Sequence, residues 1–136
     1  MKLNMKTEVP RVIGQIIGVG TDIESVQRFV AVPFHQNEPF YHNLFHEKEI
    51  EYCLQRPNPP QSFAARFAAK ESVIKACSEI ISLSCKDIII TSNKNHSPIA
   101  KILKEGFQRT QVKMSMSHTK EFATAIAVVM EEIRQK

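Results

Sequence analysis

The chain has 136 residues, of which 43% are hydrophobic, and a formal net charge of +4. This composition is typical of one globular domain with a buried core and excludes a disordered chain, and three cysteines without a CxxC pair argue for a reduced, cytoplasmic protein. No apolar run approaches the roughly 20 residues of a membrane-spanning helix and no signal-peptide core is present, so we expect a soluble protein with no membrane partner.

The first predicted element is a strand. Residues 1–14 are expected to form an N-terminal tail, and a single domain is expected over residues 15–136. Gln15–Ile23 alternates as a strand does, with two glycines on the same face as Asp22. Glycine inside a strand often marks the close approach of a ligand or of another backbone segment. Asp22 is therefore either a carboxylate that holds a ligand or the N-cap of the helix that follows it.

Two helices are predicted before the middle of the chain. The first runs from Ile23 or Glu24 to about Val30, presents Arg28, and ends before a proline. A polar connection is expected over residues 33–43. The second helix is predicted from about residue 46 to residue 55.

The strongest helical pattern covers Ser62 to about Ile80, after a proline-rich break that makes Ser62 a suitable N-cap. An apolar stripe along this helix faces a core and contains Phe63, Phe67, Ile74 and, at its edge, Cys77. Lys70 falls inside the stripe, Glu71 borders it, and Lys75 lies one turn beyond Glu71. Charged groups where packing favours hydrocarbon often mark a site. The alternatives are an exposed Glu71–Lys75 pair and a Lys70 side chain that snorkels to solvent.

The C-terminal part is predicted as two hairpins. Lys86–Thr91 is a strand apolar enough to be buried, and Ile99–Leu103 is its hairpin partner. Val112–His118 alternates cleanly, and the short connection of residues 119–121 separates it from the strand Phe122–Met130. His118 therefore lies at a strand end beside a turn, as a site residue or as a half-buried structural histidine.

Most common enzyme signatures are absent: the sequence has no Gly-rich phosphate loop, GxGxxG, GxSxG or HExxH. What remains is two carboxylates, Asp22 and Glu71, two lysines near the second, and His118. Mg²⁺ is commonly held by one or two carboxylates together with substrate phosphates. These residues are therefore sufficient for a Mg²⁺-assisted transfer of a phosphoryl-type group.

Three segments carry a resemblance to a known family: residues 17–23 (IGVGTDI), 66–76 (RFAAKESVIKA) and 116–123 (MSHTKEFA). In this order they resemble the holo-acyl-carrier-protein synthases, the small group of the 4'-phosphopantetheinyl transferase superfamily. The resemblance implies an α+β domain with a largely antiparallel sheet packed on a long central helix, assembled as a homotrimer with coenzyme A sites between subunits.

The resemblance also implies an activity, the transfer of the phosphopantetheine arm of coenzyme A to a serine of apo acyl carrier protein. Adenosine 3',5'-bisphosphate is released. By position, Asp22 and Glu71 become ligands of Mg²⁺, Lys75 becomes a phosphate contact, and His118 becomes a polar residue near the coenzyme. Glu71, Lys75 and His118 form the expected catalytic set. The base that deprotonates the serine is either a carboxylate such as Glu71 or a metal-linked water.

The substrate contacts complete the expected site. Arg66 and Lys70 lie in the second motif, where they would touch the coenzyme's phosphates or their neighbours. Arg28 stands where family members carry an arginine that faces the acidic recognition helix of the carrier protein, and the net positive charge agrees with that partner. Because lysine and arginine are scattered along the chain, a nucleic-acid partner is not expected.

The chain departs from the family pattern at three points. Residues 77–80 (CSEI) stand where a Gly-rich stretch usually follows the central helix, and His96-Ser97-Pro98 replaces a Gly-x-Pro turn. Both stretches resemble regions that line the nucleotide pocket, so a second hypothesis is a catalytically silent homologue that binds carrier proteins or nucleotides. Glu24 forms an Asp-x-Glu pair with Asp22, either as a third metal ligand or as a first-turn carboxylate favoured by the helix dipole.

Overall fold

Five strands and four α-helices make up the part of the chain that the computed structural model describes, residues 14–132. The predicted tail lies almost entirely outside these residues. In chain order the elements are β1 (Gly14–Ser25), α1 (Val26–Ala31), α2 (Glu38–Leu44), α3 (Glu47–Leu54), α4 (Pro59–Cys77), β2 (Ile88–Ser92), β3 (Pro98–Ile102), β4 (Thr110–His118) and β5 (Phe122–Glu132). Single 3-10 turns cover Phe34–Gln36 and Cys85–Asp87.

All of these strands pair in the antiparallel sense, which confirms the α+β prediction and both predicted hairpins. They form a three-stranded sheet with the order β1-β5-β4 and a two-stranded sheet of β2 and β3. In the larger sheet Ala125 of β5 lies opposite Asp22 on one side and opposite Met116 on the other, while Ala123 lies between Glu24 and His118. The register therefore sets His118 two strands, roughly 10 Å, away from Glu24.

Helix α4 packs against the inner face of the larger sheet, and small residues make this close approach possible. Buried alanines face each other across the interface, from β5 (Ala123, Ala125, Ala127) and from α4 (Ala68, Ala69, Ala76). A Cβ built on Gly18 would lie 1.7 Å from the carbonyl oxygen of Ala76, and one built on Gly20 would lie 1.9 Å from that of Ser72. The two glycines of β1 therefore make room for another backbone segment, not for a ligand.

The ends of α4 differ from the prediction. The helix begins at Pro59, with Asn58 as N-cap accepting a hydrogen bond from the Gln61 N–H at 3.3 Å. Prolines fit the first helical positions because the N–H that they lack would have no helical partner there. The prolines that were interpreted as a break before the helix therefore form the first turn of α4. The helix ends at Cys77 instead of Ile80.

A second, aromatic cluster lies between α4 and the three short helices. The expected polar connection over residues 33–43 is wrong, because it contains α2. Pro39 occupies the first turn of this helix, and Tyr41 packs edge-on against Phe63 with ring centroids 4.6 Å apart. Aromatic packing thus stabilises a helix too short for periodicity to reveal it.

None of the helices of residues 14–132 combines the length and the apolarity needed to cross a membrane.

Candidate active site

The crossing of β1 and α4 brings Asp22 to Lys75. Lys75 Nζ lies 3.1 Å from Asp22 Oδ1 and donates to the Thr21 carbonyl at 3.0 Å. The Asp22 side chain is 10% exposed and that of Lys75 is 55% exposed. The alternative of Asp22 as an N-cap is wrong, because α1 begins at Val26 with Ser25 at its N-cap. Lys75 also pairs with this strand carboxylate rather than with Glu71 one turn back.

Glu24 completes a group of three neighbouring carboxylates with Asp22 and Glu71. Burial, a hydrogen bond with Asp22 and the charges of Asp22 and Glu71 raise the pKa of Glu24 from 4.5 to about 7, although Arg28 opposes the shift. Asp22 Oδ2 is buried and has no donor among the described residues when Glu24 is ionised. A proton on Glu24 would supply that donor. The carboxylates are therefore close enough that one of them binds a proton more readily than an isolated glutamate does.

This charge pattern fits a divalent cation held by few protein ligands. Within residues 14–132, no three or more His, Cys, Asp or Glu side chains converge into a metal cage. Mg²⁺ does not need such a cage, because one or two carboxylates, waters and substrate phosphates usually complete its shell. The unpartnered Asp22 Oδ2 and the neighbouring charge of Glu71 are suited to that role.

Glu71 contacts a thiol that sequence reasoning did not single out. Cys85 Sγ lies 3.8 Å from Glu71 Oε1, within reach of a weak S–H hydrogen bond. Burial and the charge of Glu71 raise the pKa of Cys85 to about 11. The thiol therefore remains a neutral donor beside the carboxylate, and it limits the positions that Glu71 can take.

Lys70 belongs to the interior, not to the ligand site. Its ammonium is fully buried and donates to Glu49 Oε1 at 2.6 Å and to the carbonyls of Leu44 and Cys85 at 2.9 and 3.0 Å. Burial lowers the pKa of Lys70, and the Glu49 carboxylate opposes this shift. The snorkelling alternative is wrong. Because an ammonium has three donors and all are used, Lys70 has none left for a coenzyme phosphate, and we assign it a structural role.

Glu49 was also missed, and it connects three parts of the fold. Its Oε1 accepts from the His46 N–H at 2.7 Å and its Oε2 from the Ile90 N–H at 2.9 Å, in addition to the Lys70 ammonium. The sequence signal was weak, since a glutamate three residues after a helix start is a common capping pattern. Its burial depends on the lysine 21 positions away.

A separate cleft of about 390 Å³ contains Arg66 and His118. It opens between the end of α3, the start of α4, the β2–β3 turn and the end of β4. Four basic side chains line it, those of Arg56, Arg66, His96 and His118, and no Asp or Glu is among its lining residues. His118 is exposed rather than half-buried. A larger cleft of about 580 Å³ between β3 and β4 contains none of the predicted site residues.

Arg66 forms the rigid floor of this cleft, which we name the arginine cleft. The residue is 3% exposed, donates to the Ile90 carbonyl and to Ser92 Oγ, and has its guanidinium 4.1 Å from the centroid of the Tyr52 ring. Its Nε has no hydrogen-bond partner among residues 14–132. A positive charge is therefore fixed in place with one donor unused.

One chain thus has two candidate half-sites. The first lies where β1 crosses α4 and consists of Asp22, Lys75, Glu24 and Glu71. The second is the arginine cleft with Arg66 and His118, at the end of β4, which is two strands away from β1 in the larger sheet. Arg28 lies beside the first group, with Nη1 3.4 Å from Glu24 Oε2 and the guanidinium 5.0 Å from the Phe67 centroid.

The sequence model of the 4'-phosphopantetheinyl transferase superfamily matches residues 18–127. The chain belongs to this superfamily. Both half-sites lie within the matched residues.

Several similar proteins are holo-[acyl-carrier-protein] synthases. A holo-[acyl-carrier-protein] synthase of Thermodesulfovibrio yellowstonii is 40% identical over 114 residues, covering 84% of this chain and 98% of that protein. The synthase of Chlamydia felis is 41% identical over 122 residues, with coverages of 85% and 98%. Among solved structures, the Helicobacter pylori synthase in complex with coenzyme A matches with a TM-score of 0.71 and 29% identity over 82% of this chain and 98% of that chain.

Proposed function

We propose that this chain transfers the 4'-phosphopantetheine group of coenzyme A to a serine of an apo acyl carrier protein, with release of adenosine 3',5'-bisphosphate. The observation that carries the proposal is the meeting of Asp22, Lys75 and the Glu71 charge at one crossing within the superfamily match. The names of the similar synthases and the coenzyme A in the Helicobacter pylori structure support the same activity.

Asp22 and Glu71 would hold Mg²⁺ at this crossing. When bound, the ion would neutralise charge on the diphosphate of the coenzyme as the bond to the departing phosphate breaks. Lys75 would add a second positive charge. Because its side chain is 55% exposed, its ammonium can turn from Asp22 to a phosphate oxygen without opening a buried contact.

A carboxylate of the same group would accept the proton of the attacking serine. Glu71 is our first choice, because its hydrogen-bond partner within residues 14–132 is the neutral Cys85 thiol and it has no ion pair to give up when it accepts a proton. A serine hydroxyl is a weak nucleophile at neutral pH and needs such a base within hydrogen-bond reach.

The arginine cleft would bind the nucleotide end of the coenzyme through Arg66 and His118. A homotrimer with sites between subunits would bring this cleft to the carboxylates of a neighbouring copy. The outer face of the larger sheet supports such an assembly, because it exposes four large apolar residues by 46% to 61%: Ile16, Val19, Ile23 and Ile126. An exposed apolar patch of this kind typically marks an interface.

The carrier protein would dock beside α1, where Arg28 has a side chain that is 48% exposed. An acidic partner helix would find there the Arg28 guanidinium, and Val30 on the same helix is also exposed. Rim charges of this type mainly raise the association rate, so the dependence of transfer on salt concentration would reveal the contact.

The test is incubation of the purified chain with several apo acyl carrier proteins, coenzyme A and Mg²⁺, followed by intact-mass measurement of the carrier. We expect a mass gain of one phosphopantetheine and none when EDTA is added. Binding of carrier or coenzyme without any mass gain would instead support the silent homologue that the departures from the family pattern suggested.

A further inference from the structure

The β2–β3 turn contains an unusual backbone conformation at the wall of the arginine cleft. His96 has a φ of 62° and is the only non-glycine residue with positive φ in the described range 14–132. Side chains with a Cβ disfavour this left-handed region, which glycine enters freely. Residues held in such a conformation at an energetic cost are concentrated at functional sites.

The turn does not need the imidazole in order to close. Asn93 Oδ1 accepts hydrogen bonds from the N–H groups of Asn95 and Ser97 at 2.9 and 3.0 Å, and the His96 N–H donates to the Asn93 carbonyl at 3.0 Å. His96 takes part in these hydrogen bonds only through its backbone N–H. Within residues 14–132 its ring makes no hydrogen bond, so the turn would keep its shape with glycine at this position.

The surroundings of the ring are suited to an anion. Arg56, Arg66 and His118 line the same cleft, which has no carboxylate in its wall, and the buried Arg66 keeps one donor nitrogen without a partner. A cleft with two guanidinium groups, two imidazoles and no acid is complementary to a phosphate.

We propose that His96 binds the 3'-phosphate of the coenzyme and thereby sets the preference for coenzyme A over its 3'-dephospho form. This inference rests on the proposed function. The reacting diphosphate must lie at Asp22 and Lys75, and the one other phosphate of coenzyme A is on its ribose. The arginine cleft is a basic site apart from this carboxylate group, and the His96 imidazole that lines it makes no hydrogen bond within residues 14–132.

The test compares His96→Gly with the unaltered chain. Transfer to carrier protein is measured with coenzyme A and with 3'-dephospho-coenzyme A, and adenosine 3',5'-bisphosphate binding is measured by calorimetry. Lys94→Ala is the matched control, because it removes a positive charge from the same turn but does not line the cleft. Melting temperature reports the backbone effect.

For His96→Gly we expect an unchanged or higher melting temperature and a KM for coenzyme A raised about two- to tenfold, the effect of one lost hydrogen bond. The kcat and the KM for the dephospho form should stay within twofold of the unaltered values. Lys94→Ala should change neither KM. Asparagine tolerates left-handed backbone but is shorter than histidine, so His96→Asn should keep the stability and behave as glycine does in KM.

Equal effects on the two coenzymes, or no effect on either, would overturn the role of His96 while leaving the proposed function intact. If the unaltered chain neither transfers the group nor binds coenzyme A, the proposed function fails, and this inference fails with it.

Discussion

Two lysines five positions apart on α4 should respond to substitution in opposite ways. Lys70→Met removes the partner of the fully buried Glu49 and leaves the carbonyls of Leu44 and Cys85 without their donor. Breaking a buried ion pair on one side typically costs about 3–5 kcal/mol. Since a domain of this size is stable by about 5–15 kcal/mol, we expect a fall in melting temperature of roughly 10–20 °C at fixed protein concentration.

Lys75→Met should show the reverse pattern. Its side chain is 55% exposed, so water can replace the ammonium beside the largely buried Asp22, and the stability loss should be within about 1 kcal/mol. Transfer activity per folded molecule should fall by about a hundredfold or more, because a charge that stabilises the reacting diphosphate is lost. Folded Lys70→Met, assayed well below its melting temperature, should keep a kcat within a few-fold of the unaltered enzyme.

Chemical denaturation and thermal melting of both variants, with transfer kinetics on the same preparations, measure this contrast. Glu49→Gln is the control for Lys70→Met, because it removes the same ion pair from the other side and should destabilise to a similar degree. A stable Lys70→Met protein with lost activity would refute the structural role given to Lys70 and return it to the coenzyme site.

Three further outcomes follow from the geometry. Gly20→Ala should destabilise the fold by about 3 kcal/mol or more, because the new Cβ would lie 1.9 Å from the Ser72 carbonyl oxygen and the backbone would have to move. Thermal melting measures this loss, and an unchanged melting temperature would contradict the packing of α4 on β1. The raised pKa of Glu24, from 4.5 to about 7, means that folding favours its protonated form, a stabilisation that is complete below pH 4.5 and lost as the pH rises to 7. We therefore expect the free energy of unfolding of Glu24→Gln, relative to that of the unaltered chain, to be about 1 kcal/mol higher at pH 8 than at pH 4 in metal-free buffer, after allowance for solvent screening. A difference between the two proteins that does not change with pH would refute the grouping of Glu24 with Asp22 and Glu71. Burial raises the pKa of the three cysteine thiols, so a thiol reagent at pH 8 should modify them only as fast as the protein unfolds, and rapid labelling of the native protein would contradict their burial.

The sequence was most informative where pattern and spacing reflect a single local cause. The alternating strands and both C-terminal hairpins were predicted to within a few residues because period-two burial is visible in one segment. The neighbouring glycines made Asp22 a candidate ligand holder. Glycine is needed at these positions because the backbone of α4 passes close to β1, and no local pattern could identify that contact.

The failures have long-range causes. Helix α2 is stabilised by aromatic contacts with α4, and Lys70 is neutralised by Glu49, so each depends on residues that sequence order keeps apart. Motif position placed Lys70 among the phosphate contacts because it stands next to Glu71. Side chains of adjacent helical residues point about 100° apart, so neighbours in a motif can serve the core and the site separately.

The central claim is that Asp22 and Glu71 act together on a diphosphate. Its most direct test is single-turnover transfer from coenzyme A to apo acyl carrier protein, followed by intact mass, for the unaltered chain and for Asp22→Asn and Glu71→Gln, with melting curves to show that the variants fold. We predict transfer by the unaltered chain and a loss of about a hundredfold or more in each folded variant. Transfer at an undiminished rate by either variant would contradict the account.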